Sequence, residues 1–199
     1  MMETKAKTLA AADQDLALTR AAAQGEARAK RELADRLLDR TRALVRSLVA
    51  DDPDADDMVQ LCLIRVIRSA ATFRGQSRLE RWSDRIVVRT ALRLIRRRRP
   101  QLLADETLED TPAGLDLEDE LGRRQIWQRM AVLLQKLTPE RRAAIVLRLL
   151  HDYRVAEIAE IMGTPLNTVR SRLRAGRKQL QKQIRNDPVL KDCLPWRKA

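Results

Sequence analysis

The chain has 199 residues, 44% of them hydrophobic and 34% charged, which suits one or two folded domains with heavily charged surfaces. Aromatic residues make up only 3%, and no alternating β pattern or internal repeat is evident, so β-rich folds are disfavoured and a nearly all-α protein is predicted. The formal net charge of +12 favours a polyanionic partner such as nucleic acid.

The cysteine and targeting signals are weak. Cys62 and Cys193, with the single His151, form neither a disulfide framework nor a metal-ligand spacing, which predicts that no metal or other cofactor is bound. The N-terminus lacks the apolar core of a signal peptide, and no apolar run approaches membrane-spanning length. We therefore expect a cytoplasmic protein without membrane insertion.

The first third of the chain carries two helical patterns. Residues 12–50 are predicted to be helical. Their apolar stripe consists of Leu33, Leu37, Leu44 and Leu48. The acidic segment at 51–57 breaks this pattern and places carboxylates near the positive N-terminal end of the next helix, predicted at roughly 55–70.

A long helix is predicted from about Leu79 to Arg99, with Pro100 ending it. Two aromatic side chains precede or enter this helix, and three arginines follow at four-residue spacing. These residues are Phe73, Trp82, Arg85, Arg89 and Arg93. Aromatic rings beside arginines suit single-stranded DNA, because bases stack on rings while arginines contact the backbone. Alternatively, the rings are core residues and the arginines form a solvated stripe, and the residues alone leave both interpretations open.

Residues 101–117 contain Pro, Gly and acids but no Lys or Arg, which predicts an acidic flexible linker. A helix is then predicted from about 118 to 136. The next begins at Pro139 with Thr138 as its cap. The tail from Asn186 onward contains two prolines and is expected to be ordered only in part. A frayed end is favoured over a small regulatory extension.

Residues 155–180 are typical of a helix-turn-helix with a basic second helix. The first helix is predicted to end at Gly163, with Thr164 capping the second helix and Pro165 at its first position. A basic amphipathic helix of this kind fits the DNA major groove. An ordinary surface helix with a solvated basic face is the alternative, but capping, turn and charge together favour DNA binding.

Two parts of the chain resemble the bacterial sigma-70 family of RNA polymerase sigma factors, in particular its two-domain extracytoplasmic-function (ECF) group. Within residues 54–99, DADDMVQLCLIRVIR and FRGQSRLERWSDRIVVRTALRLIRRRR resemble region 2. Residues 137–184 resemble region 4. The resemblance implies an all-α fold with a region 2 helical bundle at 1–100 and a region 4 helix-turn-helix domain at 118–199, joined by the acidic linker.

The resemblance also implies roles for the residues that match the family's motifs. The residues on the helix facing core polymerase are Asp57, Gln60, Arg65 and Arg68. The residues implied to surround a base flipped from the −10 element are Phe73, Ser77 and Thr90. Those implied to contact the opened strand are Trp82, Arg85 and Arg89. In the −35 major groove they are Pro165, Asn167, Thr168, Arg170, Ser171 and Arg174, with Arg172, Arg177 and Lys178 nearer phosphates.

The implied function is that of an alternative sigma factor, a non-enzymatic protein that binds core RNA polymerase and directs promoter-specific initiation. Its DNA partner would be duplex at the −35 element and single-stranded at the −10 element. An anti-sigma protein that clamps the two domains is a candidate further partner. The first rival is a stand-alone helix-turn-helix regulator that never binds polymerase. The second is a nuclease using the acids at 51–57, although helix capping explains those acids more simply.

Three positions stand out within the matched segments. Leu61 follows the glutamine where the family usually has an acid. The usual Trp-Leu-Tyr-Arg-Ile is here Trp82-Ser83-Asp84-Arg85-Ile86, which is expected to place a carboxylate beside the DNA-binding arginines. Gly176 lies inside the predicted recognition helix, where glycine costs about 1 kcal/mol relative to alanine unless close packing requires it.

Overall fold

A computed structural model describes the backbone of residues 2–49, 52–102 and 120–193, and the side chains of residues 12–49, 52–97 and 126–191. The regular structure in these ranges is entirely helical, which confirms the all-α prediction. In chain order the helices are α1 (Met2–Ala23), α2 (Ala27–Val49), α3 (Ala55–Arg68), α4 (Leu79–Leu102), α5 (Glu120–Gln135), α6 (Pro139–Leu149), α7 (Val155–Met162), α8 (Leu166–Asn186) and α9 (Leu190–Cys193). Across the described ranges, no helix is both long and apolar enough to cross a membrane.

The chain divides into two compact units, the first containing residues 1–94 and 160–163 and the second containing residues 95–159 and 164–199. The second unit is named below by the helices from α5 onward. The predicted acidic linker lies outside the described residues apart from its first two, which end α4. The predicted domain boundaries at 100 and 118 therefore stay predictions.

In the first unit, α2 packs against both α1 and α3. The predicted leucine stripe of α2 is confirmed, since Leu33, Leu37, Leu44 and Leu48 are all buried. Residues 12–23 and 27–49 are helical, as predicted, with a break between α1 and α2. Gly25 has a φ of 101° there, a conformation that glycine alone adopts readily.

The ends of α3 and α4 differ in how well they were predicted. Asp56 and Asp57 lie in the first turn of α3, as expected, and the N–H of Asp54 donates to Asp52 Oδ1 at 2.9 Å. Helix α4 continues two residues past Pro100, so its predicted end is wrong.

The turns of the second unit follow the sequence signals with one shift. Helix α6 begins at Pro139 with extended Thr138 as its N-cap, as predicted, and Gly163 after α7 has the expected positive φ of 62°. Helix α8 begins at Leu166, so the predicted Thr164 cap is wrong by one residue. Pro165 is itself the N-cap, with an extended ψ of 147° that keeps it outside the helix.

Helix α8 packs closely on α6. Gly176 is buried at this contact, and a Cβ added to it would lie 3.0 Å from Ile145 Cγ1. The Gln179 side chain of α8 makes two hydrogen bonds beside this contact. Its Oε1 accepts from Arg141 Nη1 at 3.1 Å, and its Nε2 donates to the Lys136 carbonyl at 2.9 Å. Close packing therefore explains the glycine in this helix.

Replacing Gly176 with alanine is expected to destabilise the second unit despite alanine's better helix propensity. The substitution gains about 1 kcal/mol in propensity, whereas overpacking against Ile145 costs about 1–3 kcal/mol. We expect a net loss of about 1 kcal/mol, or a melting midpoint roughly 4–8 °C lower by calorimetry. The loss should shrink in an Ile145→Ala background, which removes the Cγ1 atom that the new Cβ would crowd, and an equal loss in both backgrounds would contradict this account.

The segment after α8 continues into the short helix α9, so the part of the predicted tail that the structure describes is folded. Asp187 Oδ1 accepts hydrogen bonds from the N–H groups of Val189 at 3.0 Å and Leu190 at 2.9 Å. Arg129 of α5 lies 3.5 Å from the other carboxylate oxygen, and Leu190 is fully buried. The Asp187 carboxylate thus holds the turn that buries Leu190.

This turn is expected to depend on pH. Burial disfavours the charged Asp187, but the Leu190 and Val189 N–H groups and Arg129 outweigh burial and lower the pKa of this carboxyl below 3.8. Because the folded pKa is the lower one, the carboxylate stabilises the turn above about pH 4 and this stabilisation is lost as pH falls through the lowered pKa. The Leu190 methyl NMR shifts should report this loss, and Asp187→Asn should abolish the acid transition.

Candidate nucleic-acid and polymerase interfaces

One face of α8 is apolar and buried, and the other is polar and exposed. The buried face consists of Val169, Leu173, Gly176, Leu180 and Ile184. The predicted DNA-contacting residues that are exposed are Pro165, Asn167, Arg170, Ser171, Arg174, Arg177 and Lys178, whereas Thr168 and Arg172 are half-buried. The packing of α8 thus leaves its basic face accessible to a nucleic acid.

The first turns of α8 carry hydrogen bonds among the predicted base-reading residues. Arg170 Nη1 donates to Asn167 Oδ1 at 3.3 Å, so the guanidinium and the amide lie side by side. The Ser171 hydroxyl donates to the Thr168 carbonyl at 2.9 Å, which leaves its oxygen as an acceptor. Guanidinium and amide groups are the ones that bind guanine and adenine edges with two bonds each.

Helix α4 carries the arginine stripe, defined as Arg85, Arg89 and Arg93. Arg89 and Arg93 are exposed, and Arg85 is half-buried with its Nη2 at 3.4 Å from Ser77 Oγ. Thr90, also predicted to contact the −10 strand, is half-buried on the same helix. The stripe gives the first unit a cationic surface of its own.

The two aromatic residues lie in the core, as the alternative interpretation held. Phe73 and Trp82 are 6% and 7% exposed and pack edge to face, with ring centroids 5.4 Å apart. Trp82 Nε1 also donates to Thr72 Oγ1 at 3.1 Å. Base stacking on either ring would therefore require it to leave these contacts.

The expectation that Asp84 lies beside the DNA-binding arginines is wrong. Asp84 is fully buried on the opposite face of α4, where its carboxylate binds Arg40 of α2. A helix places neighbouring residues about 100° apart, so Arg85 can face outward while Asp84 faces the core.

The buried Cys62 on α3 contributes no charge to this surface, because burial raises the pKa of its thiol to about 12.

The exposed face of α3 mixes polar and apolar residues. The four residues predicted to face polymerase, Asp57, Gln60, Arg65 and Arg68, are all exposed. Leu61 and Ile64, which the sequence analysis did not assign to this surface, lie among them and are each 45% exposed. Their spacing of one helical turn from Asp57, Gln60 and Arg68 was the signal that could have placed them there.

No metal-binding cluster of three His, Cys, Asp or Glu residues occurs in the part of the chain that the structure describes. Asp51, one of the acids considered for a nuclease, lies outside that part. Asp56, another of them, lies 3.4 Å from Arg46 in an exposed ion pair.

One unit contains a helix-turn-helix with an exposed basic helix, and the other contains a second cationic helix. Together these two features define a helical DNA-binding protein. Residues 33–101 match the family described as Sigma-70 region 2, and residues 127–180 match Sigma-70, region 4. The chain is 31% identical over 181 residues to the ECF RNA polymerase sigma-E factor of Haemophilus influenzae, covering 85% of this chain and 95% of that protein. The chain belongs to the sigma-70 family of RNA polymerase sigma factors, in the extracytoplasmic-function group.

Other relatives agree with this membership. RNA polymerase sigma factor SigV of Bacillus subtilis is 30% identical over 147 residues, covering 73% of this chain and 85% of that protein. The sigma factor RpoE in complex with the anti-sigma factor NepR from Bartonella quintana has a similar fold, with a TM-score of 0.60 at 23% identity over 79% of this chain and 97% of that one. CnrH in complex with the cytosolic domain of CnrY has a TM-score of 0.59 at 24% identity, covering 87% of this chain and 98% of that one.

Proposed function

We propose that this alternative sigma factor directs promoter-specific initiation through three separate surfaces. Helix α8 reads the −35 element, the arginine stripe of α4 contacts the opened −10 strand, and the exposed face of α3 binds core RNA polymerase. The observation that carries the proposal is the division of α8 into a buried apolar face and an exposed face with Asn167 and Arg170 side by side. Such a helix has both the support and the chemistry needed to read a major groove.

At the −35 element, the exposed N-terminal half of α8 would contact base edges. Arg170 and Asn167 would donate to purines, and Pro165, Thr168, Ser171 and Arg174 would line the groove around them. Arg172, Arg177 and Lys178 would contact phosphates, which fix register without reading sequence. Binding should therefore weaken steeply as salt rises.

At the −10 element, the arginine stripe would follow the backbone of the opened strand, with Ser77 and Thr90 near a flipped base. Phe73 and Trp82 would act from the core by fixing the start of α4, or would stack with bases once displaced from their mutual contact. The buried position of both rings supports the first of these two roles.

On α3, Asp57, Gln60, Arg65 and Arg68 would surround the apolar pair Leu61 and Ile64 in the polymerase interface. An apolar centre with a charged rim is the usual anatomy of a protein–protein interface. Leucine at position 61, in place of the family's usual acid, enlarges that apolar centre.

The chain itself would not be an enzyme, since the proposed surfaces bind and position while polymerase performs the chemistry. We place the protein in the cytoplasm, where its proposed partners work. The domains at 1–100 and 118–199, with an acidic linker that like-charge repulsion keeps off DNA, remain part of the proposal. An anti-sigma protein is a further candidate partner, because one fold neighbour, the sigma factor RpoE, was solved with the anti-sigma factor NepR bound.

The test mixes the purified chain with core polymerase and measures co-elution, then compares DNA binding by the free chain and by the complex. We expect a stable complex, and tight promoter binding only in that complex. Tight operator binding by the free chain without co-elution would support the stand-alone regulator instead. Metal-dependent cleavage lost in Asp56→Ala would support the nuclease.

A further inference from the structure

A buried ion pair joins α4, the helix of the arginine stripe, to α2. Arg40 donates from Nε to Asp84 Oδ1 at 2.8 Å and from Nη2 to Oδ2 at 2.6 Å. The Asp84 side chain is 1% exposed, whereas that of Arg40 is 34% exposed. A two-point contact between a planar guanidinium and a carboxylate constrains direction as well as distance. The pair therefore constrains how α4 is rotated against α2.

The rotation of α4 determines where the arginine stripe points. Asp84 immediately precedes Arg85, and the other residues on its face, Val88 and Ala91, are fully buried. Because a helix turns as a rigid body, any rotation that moved Asp84 would carry the stripe through the same angle. Val88 and Ala91 are small and apolar, so they resist such a rotation less specifically than a paired charge does.

Stability alone is a poor explanation for this pair. Well-packed apolar residues usually stabilise a core as much as a buried ion pair does, whereas removal of one partner leaves an uncompensated charge. The contacts from Trp82 to Thr72 and from Arg85 to Ser77 join the start of α4 to the segment just before it in the chain. Those contacts do not connect α4 to α2. The Arg40–Asp84 pair does connect the two helices, between residues 44 positions apart in the chain.

We propose that Arg40 and Asp84 are positioning residues for promoter opening, which set the rotation of α4 so that the arginine stripe meets the separated strand. Neither residue contacts DNA. The inference rests on the proposed role of α4 and adds to it residues that the sequence analysis had not assigned.

The test uses the complex of the full chain with core polymerase. Asp84→Asn keeps the shape but removes the charge, and Arg40→Lys keeps the charge but removes the planar fork. Strand opening is measured by permanganate reactivity of −10 thymines, and core affinity by fluorescence titration. We expect opening to fall roughly tenfold to a hundredfold, with core affinity within about twofold, because the bundle and α3 stay in place. The control is Asp39→Asn, whose partner Arg42 lies 3.6 Å away and whose own side chain is 97% exposed, and it should change neither quantity.

Arg40→Gln is made as a third single variant. The double variant Arg40→Gln/Asp84→Asn should lose no more opening than the worse of its two single variants, since the two residues act as one unit. If Asp84→Asn fails to fold, Arg40→Lys carries the test. Normal opening by the folded variants overturns the inference, and so does an equal fall in opening and core affinity, which would mark a purely structural role. If the unaltered chain opens no promoter with core polymerase, the proposed function itself has failed.

Discussion

Arg170→Ala is expected to abolish most −35 recognition while leaving polymerase binding intact. Arg170 is exposed in the N-terminal half of α8 and hydrogen-bonded to Asn167, so its removal takes away a guanidinium held ready for a guanine edge. One good bidentate base contact is worth about 1–3 kcal/mol, or roughly 5- to 150-fold in discrimination. Run-off transcription from promoters with intact and scrambled −35 elements measures this loss.

The matched control is Arg185→Ala, which removes the same exposed side chain from the C-terminal end of α8. It should leave promoter discrimination unchanged, because base contacts lie in the N-terminal half of a recognition helix. Unchanged promoter preference in Arg170→Ala would count against the assignment of α8 as the reading helix. An equal fall for both variants would instead indicate a general phosphate contribution.

The second large effect is expected on α3. The variant Leu61→Asp/Ile64→Asp should weaken core polymerase binding by about thirtyfold or more, which corresponds to roughly 2 kcal/mol. Both side chains are 45% exposed, so the free protein tolerates the change, but a charge at the apolar centre of an interface must be desolvated on binding. Titration of labelled chain with core polymerase measures the loss.

Gln14→Asp/Ala17→Asp introduces the same two charges at exposed positions of α1 in the same unit and serves as its control. Circular dichroism should show that all three proteins fold alike. If the α3 variant binds core polymerase as tightly as the control, α3 is not the polymerase-binding surface.

Local patterns predicted much of the fold because they depend on short stretches of chain. The leucine stripe of α2 and the Thr138–Pro139 start of α6 each follow from residues within one short stretch of chain. The break at Gly25 could have been predicted on the same grounds, because glycine ends helices readily. The residues on either side of it carry no further turn signal. The cap at Pro165 was predicted one residue too early, and the end of α4 near Pro100 three residues too early, because a proline fixes its own φ without fixing its ψ.

The candidate sites were predicted less completely, because they depend on which way each side chain points after packing. Asp84 was expected beside the arginines, yet it pairs with Arg40, which lies 44 positions earlier and which no local pattern connects to it. The burial of Phe73 and Trp82 likewise depends on their contact with each other. Leu61 was noted only as standing where the family usually has an acid, whereas its angular position on α3 already put it on the exposed face.

The most direct test of the central claim is transcription by core polymerase plus this chain from a library of randomised upstream DNA. Sequencing of the transcribed templates should recover two motifs at a fixed spacing. One is an upstream element that α8 reads, and the other is a −10 element that is opened at α4. Arg170→Ala should erase only the upstream motif. Transcripts that carry no enriched motif, or a single motif unaffected by Arg170→Ala, would contradict the account.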